Sequence, residues 1–249
     1  MPTDAPMETS QAHYPVVTKP EKIADGVMHA LGTTLSIVGV VILLVVVSGV
    51  RPGAEVASVW VYGSTLIASF IASTCYHMTP WEHLRPQLLR YDHAAIFLKI
   101  AGTYTPLMAL IGSVLSWTVL AAVWTVALMG ALLRLFSVHT PGRFLTLLFL
   151  ALGWAGVVMF WPLAQSVPPV TTVLVVVGGV LYTAGTVFVH FGWKRYQNAI
   201  WHAFVLAAST CFFVAIAWSM TADTCLAEPV TVLGPDLNAA IETALPPCP

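Results

Sequence analysis

Apolar residues run along this chain in blocks of about 20, broken by short polar clusters. The blocks "GVVILLVVVSGV" at 39–50 and "VTTVLVVVGGVLY" at 170–182 are almost continuously apolar. A surface helix would show one apolar stripe, and a half-buried strand would alternate. A transmembrane barrel would alternate polar and apolar positions in segments of about ten. The pattern therefore predicts an all-α, polytopic membrane protein with seven spans, at about 28–49, 57–77, 92–112, 115–135, 144–163, 170–191 and 199–220. The clusters between them, "RPGAE", "MTPWEHLRPQ", "HTPGR", "QSVPP" and "GWKRYQN", carry turn and breaker residues. Only a residue or two, near 113–114, separate spans three and four, which predicts a tight antiparallel hairpin.

Composition agrees. The chain is 58% hydrophobic and 8% charged, with a mean hydropathy of +0.84, against about 25% charged residues in a soluble domain. Residues 1–27 have no apolar core behind a basic start, so they read as a polar tail rather than a cleaved signal peptide. Residues 221–249 are acidic and rich in proline and read as a second tail. No basic cluster suggests nucleic acid; membrane lipids are the expected partners.

The few basic residues decide direction. Lys19, Lys22, Arg85, Arg90, Arg134, Arg143, Lys194 and Arg195 all fall on one side of the seven spans, and only Arg51 falls on the other. By the positive-inside rule the N-terminus is cytoplasmic and the C-terminal tail outside, in the plasma (inner) membrane. The outer tail holds Cys225 and Cys248, which an oxidising compartment would allow to pair. Cys75 and Cys211 lie within spans and read as small packing residues.

This topology puts His29, His77, Asp92 and His202, from spans one, two, three and seven, at one depth near the cytoplasmic leaflet. Ser73 lies one turn from His77, and Asn198 one turn from His202. Histidines and a carboxylate held together out of bulk water favour zinc. The alternative is that their polar tips simply reach the interface. No HExxH or CxxC spacing decides between the two. His93 points about 100° away from Asp92. His83, His139, His190 and His13 read as solvated surface. Lys99 lies two turns deeper than Asp92 on the same face. A charge at that depth costs at least ~2.5 kcal/mol, so it should face the bundle and meet a carboxylate, hydroxyl or carbonyl. The bend expected at Pro106 would free carbonyls for Thr105 and Tyr104 to satisfy.

The segments "EKIADGVMHALG", "STCYH", "LRYDHAAIFLKIAGTYTP" and "NAIWHAFVLAAS" resemble, in this order, the signatures of the hemolysin III proteins. These form the bacterial branch of the progestin and adipoQ receptor family, in a wider group that contains the alkaline ceramidases. The resemblance covers residues 19–220. It implies seven helices, a cytoplasmic N-terminus and a zinc held by three histidines. Ser73, His77, Asp92 and His202 match its pattern. The first histidine of its last pair is Asn198 here, an asparagine in the first segment is Asp25, and a further histidine is Phe212. An amide is a poor zinc ligand beside imidazole, so three outcomes stand open. Asn198 binds weakly or through water, Asp92 becomes a direct ligand, or the site is empty. On the metal reading, Asn198→His would strengthen the site.

Two functions follow from the resemblance. The first is a zinc-dependent hydrolase of a lipid amide or ester, with metal on His77 and His202. Asp92 would be a ligand or the group that deprotonates water, and Ser73 a supporting donor. The second is a non-enzymatic membrane protein: a pore, a transporter or a lipid-responsive sensor.

Overall fold

The computed structural model describes residues 18–136, 142–191 and 195–222. The tail residues beyond these limits, with Cys225 and Cys248, lie outside the described residues, as do His13 and His139. Among the described residues eight α-helices follow one another: α1 (Lys19–Val50), α2 (Gly53–Met78), α3 (Arg85–Ile111), α4 (Val114–Phe136), α5 (Gly142–Trp154), α6 (Phe160–Ser166), α7 (Pro169–Phe191) and α8 (Gln197–Thr221). They supply seven segments long and apolar enough to cross a membrane, the fifth being α5 and α6 joined by the 3₁₀ turn Ala155–Met159.

Local chemistry sets the joints. A capping box starts α1: Thr18 gives its backbone N–H (2.8 Å) and its hydroxyl (2.6 Å) to Glu21. The α3–α4 hairpin turns on Gly112, whose φ of +64° closes the helix with a bond from its N–H to the Met108 carbonyl at 3.1 Å. Ser113 then accepts the Ser116 N–H at 3.1 Å and starts α4. Arg51, the lone basic residue at the far end of the bundle among the described residues, donates to the carbonyls of Ser219 (3.0 Å) and Met220 (2.9 Å). It thereby caps the end of α8, while Glu55 stands 3.4 Å from its guanidinium.

Packing places α1 between α2 and α8, with α3 on the other flank of α2 and α4 beyond it; α7 lies against α8. Val47, Val59, Tyr62, Met108, Ile216 and Met220 fill the core. Helices approach closely at small residues: a methyl group at Gly63 would meet Val40, and one at Gly102 would meet Thr65.

The break in the fifth span is held by Tyr104 of α3. Its hydroxyl sits 2.7 Å from the Gly153 carbonyl and 3.0 Å from that of Leu152, and accepts the Gly156 N–H at 2.6 Å. Tyr104 thus serves a neighbouring helix rather than the carbonyls freed by Pro106. Thr105 does bond within α3, to the Ala101 carbonyl at 2.9 Å.

Candidate metal centre

Glu21, Asp25 and His29 recur every four residues along α1 and so form one stripe. Glu21 reaches α8, accepting the Tyr196 N–H at 3.0 Å. This bond holds the residue that precedes α8, which sits in the left-handed region with φ 56°. The stripe therefore runs down the α1–α8 seam. One turn further in, Asp25 meets His202; two turns in, His29 packs between His202 and His77 of α2.

Asp25, His29, His77 and His202 each offer one donor atom, and these atoms all lie within 4.8 Å of one another. Asp25 Oδ1 is 2.6 Å from His202 Nδ1, and Oδ2 is 3.3 Å from His77 Nδ1. The imidazole centroids are 4.2 Å apart for His29 and His202, 4.5 Å for His77 and His202, and 5.0 Å for His29 and His77. Asp25, His29 and His202 are buried, and His77 is half-buried. Thr74 Oγ1 lies 3.5 Å from His29 Nδ1 and 2.9 Å from Thr33 Oγ1.

The donors suit a zinc ion. Three imidazoles and a carboxylate are the ligand types zinc takes. The buried Nε2 of His29 has no hydrogen-bond partner, and Asp25 Oδ1 stands 3.7 Å away. A buried imidazole nitrogen left this way is costly unless something else satisfies it.

Of the residues the sequence put at this depth, His29, His77 and His202 stand in the quartet, whereas Asp92 and Asn198 do not. Asp92 is buried on α3, which barely touches α8, although it is close enough to act electrostatically on His202. Asn198 occupies the first turn of α8 and is exposed. Ser73 is half-buried, and it is its neighbour Thr74 that meets the quartet. Asp25 is the donor that the sequence did not point to, and His29, placed at this depth, was given no ligand role there. Their signal was the i, i+4 spacing, the same spacing that joins Ser73 to His77.

The other candidates also find places. Lys99 faces the bundle and is buried, but its partners are aromatic faces. Its ammonium lies 5.6 Å from the Phe70 ring centre and 5.1 Å from that of Tyr182. His83 and His190 are exposed. His93 instead accepts a hydrogen bond from Arg134. Cys211 is half-buried, but Cys75 is exposed on α2, so it is not a packing residue.

A sequence model of the family described as haemolysin-III related matches residues 18–213. The chain is 34% identical over 199 residues to Hemolysin-3 of Bacillus cereus, covering 79% of this chain and 90% of that protein. It is 32% identical over 199 residues to the Hemolysin-3 homolog of Bacillus subtilis strain 168, covering 79% and 92%. It is also 28% identical over 174 residues to the human monocyte to macrophage differentiation factor, covering 65% and 70%.

Proposed function

The chain belongs to the haemolysin-III related family of multi-pass membrane proteins, and from that premise we propose that it is a zinc-dependent hydrolase of a lipid amide or ester. The observation that carries this reading is the quartet itself: three imidazoles and a carboxylate drawn from α1, α2 and α8, buried near one end of the apolar spans.

In this reading His29, His77 and His202 would hold the ion. Asp25 bridges the Nδ1 atoms of His77 and His202 and fixes both rings, the usual role of a carboxylate behind metal-bound histidines. Three nitrogen donors would match the protein ligand count of catalytic zinc sites. Zinc, when bound, supplies polarisation of a carbonyl and a water acidified to a pKa of about 7. Asp92 forms no ion pair with the three imidazoles and serves as the carboxylate that takes the proton. Thr74 and Thr33 hold His29 in place. The charge pattern supports a position for this site in the cytoplasmic leaflet of the plasma membrane, with the N-terminus inside. The lipid's carbonyl then reaches it from within the membrane.

A pore, in line with the name of the Bacillus cereus relative, is the second reading. The far half of the bundle argues against a standing conduit, since Val47, Val59, Ile216 and Met220 are fully buried there.

The test begins with metal content of the purified full chain against a His77→Ala/His202→Ala variant. The same preparations, in nanodiscs doped with long-chain amides and esters, are then assayed for released fatty acid. Zinc near one per chain, lost in the variant together with hydrolysis, is the expected result. Metal without turnover of either lipid class would remove the hydrolase reading and leave a metal-dependent membrane protein.

A further inference from the structure

A second polar cluster lies at the corner where α3 and α4 meet, apart from the quartet. Arg134, in the last turn of α4, is only 7% exposed. Its Nε donates to His93 Nδ1 of α3 at 2.9 Å. That bond fixes the imidazole with its own proton on Nε2, so His93 acts as a neutral acceptor and carries no countercharge. One turn earlier on α3, Arg90 donates from Nη1 to the Leu135 carbonyl at 3.5 Å. The two arginines thus cross between the same helices, close enough to repel one another. Among the described residues neither makes an ion pair with a carboxylate.

Capping of α4 does not explain this arrangement. A cation near a helix C-terminus is favourable, and Arg90 already fills that role. Arg134 instead turns back towards α3 and is buried beside a like charge. Each guanidinium has five N–H donors, and each uses one here. The rest belong to two neighbouring positive charges that no carboxylate among the described residues meets.

We propose that this corner binds the phosphate of an anionic phospholipid. Guanidinium forks match phosphate oxygens two at a time, and basic pockets between helices on the cytoplasmic side of a membrane suit such headgroups. His93 orients Arg134 towards the phosphate, and Arg90 closes it from the other side. The exposed ends of α3 and α4 let the acyl chains lie along the bundle within the bilayer.

The experiment is native mass spectrometry of the full chain with phosphatidylglycerol and phosphatidylcholine at equal concentration. The intact protein is expected to retain phosphatidylglycerol preferentially. Arg90→Gln should lower that preference about fivefold, and Arg90→Gln/Arg134→Gln about 30-fold, with phosphatidylcholine unaffected. Arg90→Gln decides the matter if the buried Arg134 variant does not fold, since Arg90 is half-buried and bonds only a carbonyl. Lys22→Gln, exposed on the same side, should change nothing. An unaltered preference in Arg90→Gln would overturn the proposal, and so would an equal loss in Lys22→Gln. Millimolar inorganic phosphate should not displace the lipid; displacement would assign the corner to free phosphate instead.

Discussion

At the scale of single residues, the quartet rests on Asp25 more than on any other side chain, because it touches two of the three imidazoles. Asp25→Asn keeps the size but loses the charge and one acceptor. It is expected to weaken zinc binding about 10–100-fold, and His29→Ala at least as much, as measured by competition with a chelator. Asn198→His is expected to leave affinity unchanged, because position 198 is exposed in the first turn of α8. A clear gain there would show that α8 can unwind to bring that residue inward. Lys99 poses a different balance. Two aromatic faces return about 0.5–2 kcal/mol each, against an insertion cost of at least ~2.5 kcal/mol. The terms nearly offset, so Lys99→Met should change stability by less than about 1 kcal/mol in detergent unfolding. Lys99→Ala also leaves a void and should cost about 2–5 kcal/mol. Equal effects of the two substitutions would mean that the charge, not the stem, carries the stability.

Among the elements, the fifth span is unusual because its helix breaks inside the apolar region. Backbone groups freed there need partners, since lipid offers none. Tyr104 supplies them from α3 with a single hydroxyl. Tyr104→Phe keeps the ring and removes the hydroxyl, and should cost about 1–3 kcal/mol. Hydrogen exchange should quicken at residues 153–156, and unchanged exchange there would show that the break is held some other way. Gly156→Ala should be at least as damaging, because its methyl would meet the Tyr104 hydroxyl at 2.8 Å. The α1–α8 seam is tied differently. Glu21 joins the first turn of α1 to the residue before α8, so the donors one and two turns further in arrive in register.

For the whole molecule, the sequence has eight basic residues on one side of the spans and Arg51 on the other, a pattern that predicts a cytoplasmic N-terminus. Arg51 is engaged by the α8 carbonyls and by Glu55, so it adds little to the vote. With the four native cysteines replaced by serine, a membrane-impermeant maleimide added to intact cells should label Gly53→Cys and not Glu82→Cys. The opposite pattern would place the quartet in the outer leaflet.

The sequence by itself determined the seven spans, the α3–α4 hairpin and the common depth of the quartet's three histidines. These depend on local quantities: the length of an apolar run, a glycine able to take positive φ, and depth counted along a helix. It could place Asp92 and Asn198 at the right depth but not beside the other donors. Which donors meet depends on how each helix is rotated and which helix lies next to it. Packing puts α1 between α2 and α8, so Asp25 and His29 enter the quartet while Asp92, on α3, stays outside it. For the same reason only the folded bundle brings Arg134 to His93, 41 residues away along the chain. Apolar spans have no strong preference for one neighbour over another in lipid. The choice is made by shape at small residues such as Gly63 and Gly102, across helices that the linear pattern does not connect.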